Sequence, residues 1–272
     1  MSPIHLGLFA LYAVASLAYG ALFAGRAPVL GRAARPLLWI ALACHAVYLG
    51  SRVVAVHTLP ITSLSGALAT VSFSLAAVYV YLEMRQGTPM TGVFVLPLVA
   101  LLVLVGGLPF PPHTPAKELL KLLESPVFAL HMLTAVTAYC AFALAAIYGL
   151  LFLMLYHELK LGRLTLVYHR LPPLAQLKQM NIRSTLAGFV LLTVAILIGA
   201  VFLSRLKPAY FADPKVLWTF VVWVAFGGAI VAHYRGVQSS RASVFLTLAG
   251  FAVLLLSTLL IVPLASSFHQ FR

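Results

Sequence analysis

The chain has 272 residues, of which 62% are hydrophobic and 8% charged, and its mean hydropathy is +1.05. A soluble domain is about 45–50% apolar and about 25% charged, so a soluble globular protein is excluded. At about 20 apolar residues per crossing there is room for at most about ten crossings and little else. A formal charge of +13 would suggest nucleic acid in a soluble chain. Here the Lys and Arg residues report topology first, and no nucleic-acid partner is expected.

Apolar segments bounded by charge, Pro or Gly fall at about 4–24, 36–56, 64–82, 92–109, 127–155, 185–204, 216–232 and 243–263. The expected fold is an all-α polytopic membrane protein, a single transmembrane domain over residues 1–272 with eight transmembrane helices. The first segment is read as a span and not as a cleaved leader, because Arg26 follows it and no basic residue precedes it. Residues 111–126 read PPHTPAKELLKLLESP, whose leucines alternate with Lys117, Glu118, Lys121 and Glu124. This predicts a short amphipathic helix on the membrane surface between the fourth and fifth spans. The segment TLVYHRLPPLAQLKQMNIR, residues 165–183, is broken by Pro172 and Pro173, and its remainder is expected to form a second interfacial helix.

The basic residues sort into two sets of loops. Arg26, Arg32, Arg35, Arg85, Lys160, Arg163, Arg170, Lys178, Arg183, Arg235 and Arg241 lie on one side, 11 of the 18 Lys and Arg residues. The richer side is expected to be cytoplasmic, which places both termini outside the cytoplasm. No tandem repeat suggests a transporter with duplicated halves.

Five acids in the whole chain leave little material for an acidic proton or cation path. Cys44 and Cys140 sit in apolar runs without a CxxC or CxxCH pattern, which excludes a thiol-redox carrier and a covalent c-type cytochrome. Histidine is the abundant candidate, with nine residues. His131 opens the fifth span from the outside, His269 follows the eighth, and His57 ends the second, so three imidazoles fall near one outer level. His45 lies about nine residues into the second span, about 13 Å deep, and a mid-membrane His is a functional hypothesis by default. His233 closes the seventh span on the inner side. Neutral imidazole suits iron, and two histidines from different helices hold haem non-covalently in helical bundles. Each residue also has a plainer reading as a helix-end or interfacial polar group.

From residue 126 onward the chain resembles the cytochrome c assembly family of membrane haem-handling proteins, the CcsA/ResC and HemX/YpjD-like group. The likeness rests on FALHMLTAVTAYCAFALAAIYGLLFLMLYHELK, LPPLAQLKQMNIRSTLAGFVLLTVAILIGAVF, ADPKVLWTFVVWVAF, AHYRG, SSRASVFLTLAGF and SSFHQF. Earlier, PITSLSGALATVSFSLAAVYVYLE is similar to the family's third helix. The resemblance implies an outer haem site held by His131 and His269 with a Trp-rich loop between the sixth and seventh spans, and a further inner histidine matching His233. His45 sits where short members often carry a His.

Where the family has several Trp before Asp-Pro, this chain reads LKPAYFADPK. The aromatic faces toward haem would then come from Tyr210, Phe211 and Trp218. Asp213 beside Pro214 reads first as a helix cap that also supports the loop, and Trp218 reads equally as part of an interfacial aromatic belt.

The resemblance implies non-covalent haem b, a membrane or extracytoplasmic cytochrome c assembly partner, apocytochrome c met indirectly, and a bacterial inner-membrane location. It implies a haem carrier or assembly factor more than an enzyme. The competing expectation is a scaffold subunit of a larger membrane complex that keeps the fold without haem turnover, and a small-molecule transporter ranks last.

Overall fold

The computed structural model describes residues 3–25, 27–56, 60–109, 125–162, 165–203, 214–235 and 240–257. Nine α-helices lie within them: α1 (Pro3–Ala24), α2 (Pro28–Val56), α3 (Leu64–Gln86), α4 (Gly92–Gly106), α5 (Pro126–Lys160), α6 (Leu166–Arg170), α7 (Leu174–Leu203), α8 (Pro214–Tyr234) and α9 (Ser240–Leu256). Two short 3₁₀ turns, Pro60–Thr62 and Pro89–Thr91, precede α3 and α4. Among the described residues there is no strand. Seven helices, counting the turn before α4 with it, are long and apolar enough to cross a membrane, and α9 is a shorter apolar helix. The predicted surface helix between the fourth and fifth spans lies outside the described residues.

Local chemistry sets the helix ends. Ser63 caps α3 by accepting from the amide of Gly66 at 3.1 Å, and Gly87 closes it in the left-handed conformation at φ +71°. Gly66 has no alternative: a Cβ there would overlap the carbonyl of Pro60. Pro28 and Pro126 stand at first-turn positions, where the missing N–H costs nothing. The second span was expected from residue 36, but α2 begins at Pro28 and carries Pro36 in its interior. The proline removes one ladder bond without ending the helix.

A second departure concerns residues 165–183. α6 is one short helix before the two prolines, and the remainder does not form a separate interfacial helix. It supplies the first turns of α7, which runs unbroken for 30 residues. Leu177, Met180, Asn181 and Ser184 are buried at helical spacing, so packing carries this polar-looking segment into the span. α5 is also longer than its apolar run: 35 residues at about 1.5 Å each give about 52 Å, well beyond a hydrocarbon core about 30 Å thick.

The chain divides into two compact units, Met1–Thr114 with Met154–Leu174, and Pro115–Leu153 with Ala175–Arg272. In the first, α1 packs against α2 and α4, and α3 packs against α4. Tyr12, Ala15, Ala18 and Tyr19 form the buried face of α1. Gly92 makes room for Tyr19 and Tyr79, since a Cβ there would strike both rings. In the second, the core joins Ala138 and Phe142 of α5, Leu192 of α7, Val222 and Phe226 of α8, and Leu254 of α9. Phe142 and Phe226 stack at 3.7 Å, with Gly188 of α7 giving way to Phe142.

Leu17, Val47, Leu150, Leu197 and Val224 are all exposed. Lipid is as apolar as these side chains, so helices here are apolar all round and associate through close packing and polar contacts rather than through hydrophobic exclusion.

Candidate functional site

His131 lies in the second turn of α5, half-buried against α7. Its Nδ1 donates to the carbonyl of Ala195 at 2.8 Å. A carbonyl only accepts, so Nδ1 carries a proton, and in the neutral imidazole Nε2 then holds the lone pair. That is the arrangement in which a backbone carbonyl orients an imidazole for a metal. The close approach needs Gly199, where a Cβ would lie 2.8 Å from His131 Cε1 and 3.0 Å from Nδ1. Ala195 and Gly199, one turn apart on α7, thus form the seat of the ring.

His233 stands at the other end of the same unit. Its Nδ1 lies 3.4 Å from the Ser243 hydroxyl at the start of α9, and Lys178 in the first turns of α7 is near enough to act on it electrostatically. Ala195 and Lys178 are 17 residues apart on one continuous helix, about 25 Å along its axis. His131 and His233 therefore mark opposite ends of the unit, separated by most of a bilayer core.

Buried polar groups tie the helices together between them. Asn181 of α7 donates to the Ala145 carbonyl of α5 at 2.7 Å and accepts from Thr247 of α9 at 3.4 Å. Trp223 of α8 donates to Thr193 of α7 at 2.9 Å and stacks on Phe189. That hydrogen bond and stacking give Trp223 a packing role. Trp218, one of the expected aromatic groups, lies on α8 and is 37% exposed.

In the first unit His45 is fully buried in α2. Its Nδ1 shares a hydrogen bond with Tyr12 of α1 at 3.2 Å, and Phe73 of α3 meets the ring edge-on. Nε2 is buried with no hydrogen-bond partner among the described residues. One turn along α2, Tyr48 reaches His5 Nε2 of α1 at 3.3 Å. Two imidazole–phenol pairs thus join α1 and α2 inside the apolar segment. His269, Asp213, Tyr210 and His57 lie outside the described residues, and the expected approach of His131 and His269 with them.

The sequence reading assigned nothing to Glu83, yet it is one of the few buried charges. Its side chain is 5% exposed and pairs with Arg35 Nε at 2.6 Å, while Tyr19 donates to the other oxygen at 2.7 Å. The available signal was periodic: Ser72, Leu75, Ala76 and Tyr79 form the buried stripe of α3, and Glu83 is its next member. Among the described residues no three of His, Cys, Asp and Glu gather as a metal-ion site.

Apolar helices long enough to cross a membrane, with imidazoles at the ends of one unit and inside the other, define a multi-pass membrane protein. The family model described as cytochrome C assembly protein matches residues 61–269, and the chain belongs to that family. It is 25% identical to the cytochrome c biogenesis protein CcsA of Synechococcus elongatus over 278 residues, 85% of each chain. It is 24% identical to CcsA of Guillardia theta over 83% of this chain and 80% of that one, and 28% identical to protein HemX of Brevibacillus brevis over 53% of each. Membership of this family points to a role in cytochrome c maturation.

Proposed function

We propose that the protein binds haem non-covalently, as haem b, and presents it at the outer face of a bacterial inner membrane for cytochrome c maturation. In this reading His131 and His269 are the outer axial ligands, His233 is an inner ligand, and His45 is a mid-membrane one. Tyr210, Trp218 and Asp213 belong to the loop and helix start that flank the haem. The topology proposed with it has α9 completing an eighth span and both termini outside the cytoplasm, following the basic-residue bias.

The observation that carries the reading is the His131 tautomer. Donation to Ala195 engages Nδ1, which makes Nε2 the nitrogen proposed to meet iron, and the missing Cβ at Gly199 gives the ring room to sit there. The separation of His131 from His233 by about 25 Å of α7 supports two sites at two levels. His45 Nε2, buried without a hydrogen-bond partner among the described residues, has the chemistry of a third donor. The chain's residues bind and orient, and no covalent step falls to them. A membrane or extracytoplasmic assembly partner would bring the apocytochrome to the site.

The second reading is a scaffold subunit that keeps the fold without haem turnover, favoured by the tryptophan-free stretch LKPAYFADPK. An optical spectrum of the purified protein separates the two. A Soret band with low-spin bis-His features, lost in His131→Ala and in His269→Ala, supports the carrier. No Soret band at full haem supply leaves the scaffold.

A further inference from the structure

The first unit contains a half-open cavity of about 400 Å³ that the histidines do not line. It lies where α1 ends, α2 begins and α3 ends. One part of its wall is apolar, from Leu38, Trp39, Val80 and Met84, and the other is the Arg35–Glu83 pair with Tyr19.

The polar side is built. Both oxygens of Glu83 are occupied, one by Tyr19 and one by Arg35 Nε. The carboxylate therefore fixes the guanidinium in place. Arg35 uses one of its five N–H donors in this bond, makes no other hydrogen bond among the described residues, and its side chain remains 53% exposed. The remaining fork suits a planar or tetrahedral oxyanion. Glu83 cancels one charge, but Arg32 one turn earlier on α2 and Arg85 in the last turn of α3 leave this end positive. A cavity with a fixed guanidinium on one side, an indole and aliphatic groups on the other, and an open mouth fits a molecule with an anionic head and an apolar body.

We propose that this cavity binds the oxyanion end of an amphiphile, with the head on Arg35 and the body along Trp39, Leu38, Val80 and Met84. The head is a phosphate on a membrane lipid or a carboxylate on a porphyrin side chain. The inference stands apart from iron ligation by the histidines.

The test uses the full chain in detergent, with two pairs of probes read by thermal unfolding and by quenching of tryptophan fluorescence. Phosphatidylglycerol is compared with diacylglycerol of the same chains. Metal-free protoporphyrin IX is compared with its dimethyl ester, so that no iron–histidine bond contributes. The expected result is stabilisation by the anionic member of at least one pair and not by its neutral counterpart, and which pair responds identifies the head. The double variant Arg35→Gln/Glu83→Gln, which removes both charges together, should lose the response. Equal responses within both pairs, or a double variant that responds like the wild type, would overturn the proposal. If the double variant does not fold, Trp39→Ala decides, because it leaves the ion pair whole: binding weaker by about tenfold, about 1.4 kcal/mol, supports the site, and unchanged binding overturns it.

Discussion

The imidazole of His131 is seated on the backbone of α7 by a 2.8 Å hydrogen bond from Nδ1 to the carbonyl of Ala195, and the glycine one turn later is what lets the ring come so close. A methyl group at position 199 would stand 2.8 Å from Cε1, nearer than carbon atoms approach without displacement. Gly199→Ala is expected to tilt the ring, cost about 1–3 kcal/mol by overpacking, and lower haem content per protein while the helices persist. Soret absorbance against protein concentration checks it, and an unchanged ratio would show that the seat does not orient a ligand.

The inner site gives a separable prediction. His233 is half-buried, with a long contact to Ser243, so His233→Ala should leave the fold nearly intact while reducing haem recovered with the protein. Free imidazole in the medium should restore it, because the lost ligand is an imidazole nitrogen. Unchanged haem and no response to imidazole would mark His233 as an interfacial polar group and leave His131 standing.

Asn181 is the chief polar tie of the second unit, joining α7 to α5 and α9. Asn181→Leu should cost about 1–2 kcal/mol in detergent unfolding, in line with hydrogen bonds between membrane helices. Among the described residues Thr185 bonds only its own helix, to the Asn181 carbonyl at 2.9 Å, so Thr185→Val should change stability by less than about 0.5 kcal/mol. Equal effects for the two would contradict the assignment of Asn181 as an inter-helix tie.

For the Arg35–Glu83 pair, a thermodynamic cycle is more informative than either single change. Arg35→Ala leaves a buried carboxylate with Tyr19 alone. It should therefore destabilise more than Arg35→Gln/Glu83→Gln, which leaves no charge behind. The coupling should be about 1 kcal/mol rather than several, since Arg35 is half exposed and solvent screens it. Strict additivity in thermal melts would mean that the two side chains do not interact in the membrane protein.

Topology can be checked without reference to haem. Single cysteines introduced at Arg26 and at Pro112, in a background lacking Cys44 and Cys140, should label from opposite sides of the membrane. Labelling from one side would remove the proposed orientation and with it the outer placement of His131.

Much of the fold was legible because a bilayer imposes it. Backbone groups in hydrocarbon must be satisfied within a helix, so apolar length alone located α1, α3, α4 and α8 and the start of α9 to within a few residues; it missed the short α6, the early starts of α2 and α7 and the extension of α5. Hydropathy marks where lipid is met, whereas the helix runs on past its apolar stretch where side chains on either side of the break are buried, Ala34 and Leu38 around Pro36 in α2 and Leu177, Met180 and Asn181 in the polar first turns of α7. Histidine counting singled out His131, His233 and His45 as candidates, since an imidazole is conspicuous in an apolar chain with five acids.

Amino-acid order by itself thus determined that the protein is a helical membrane protein, approximately where its spans lie, and which side chains could carry its chemistry. Only the tertiary structure decided that Nδ1 of His131 donates to a backbone carbonyl, because that depends on Ala195, 64 positions away. It likewise decided that Glu83 is buried and paired, because Arg35 and Tyr19 come from two other helices. The division follows from the physics. Lipid acts on each segment separately and can be read from composition, whereas a hydrogen bond between helices depends on rotation and register, which in lipid are set by the packing of small residues and by the polar groups themselves.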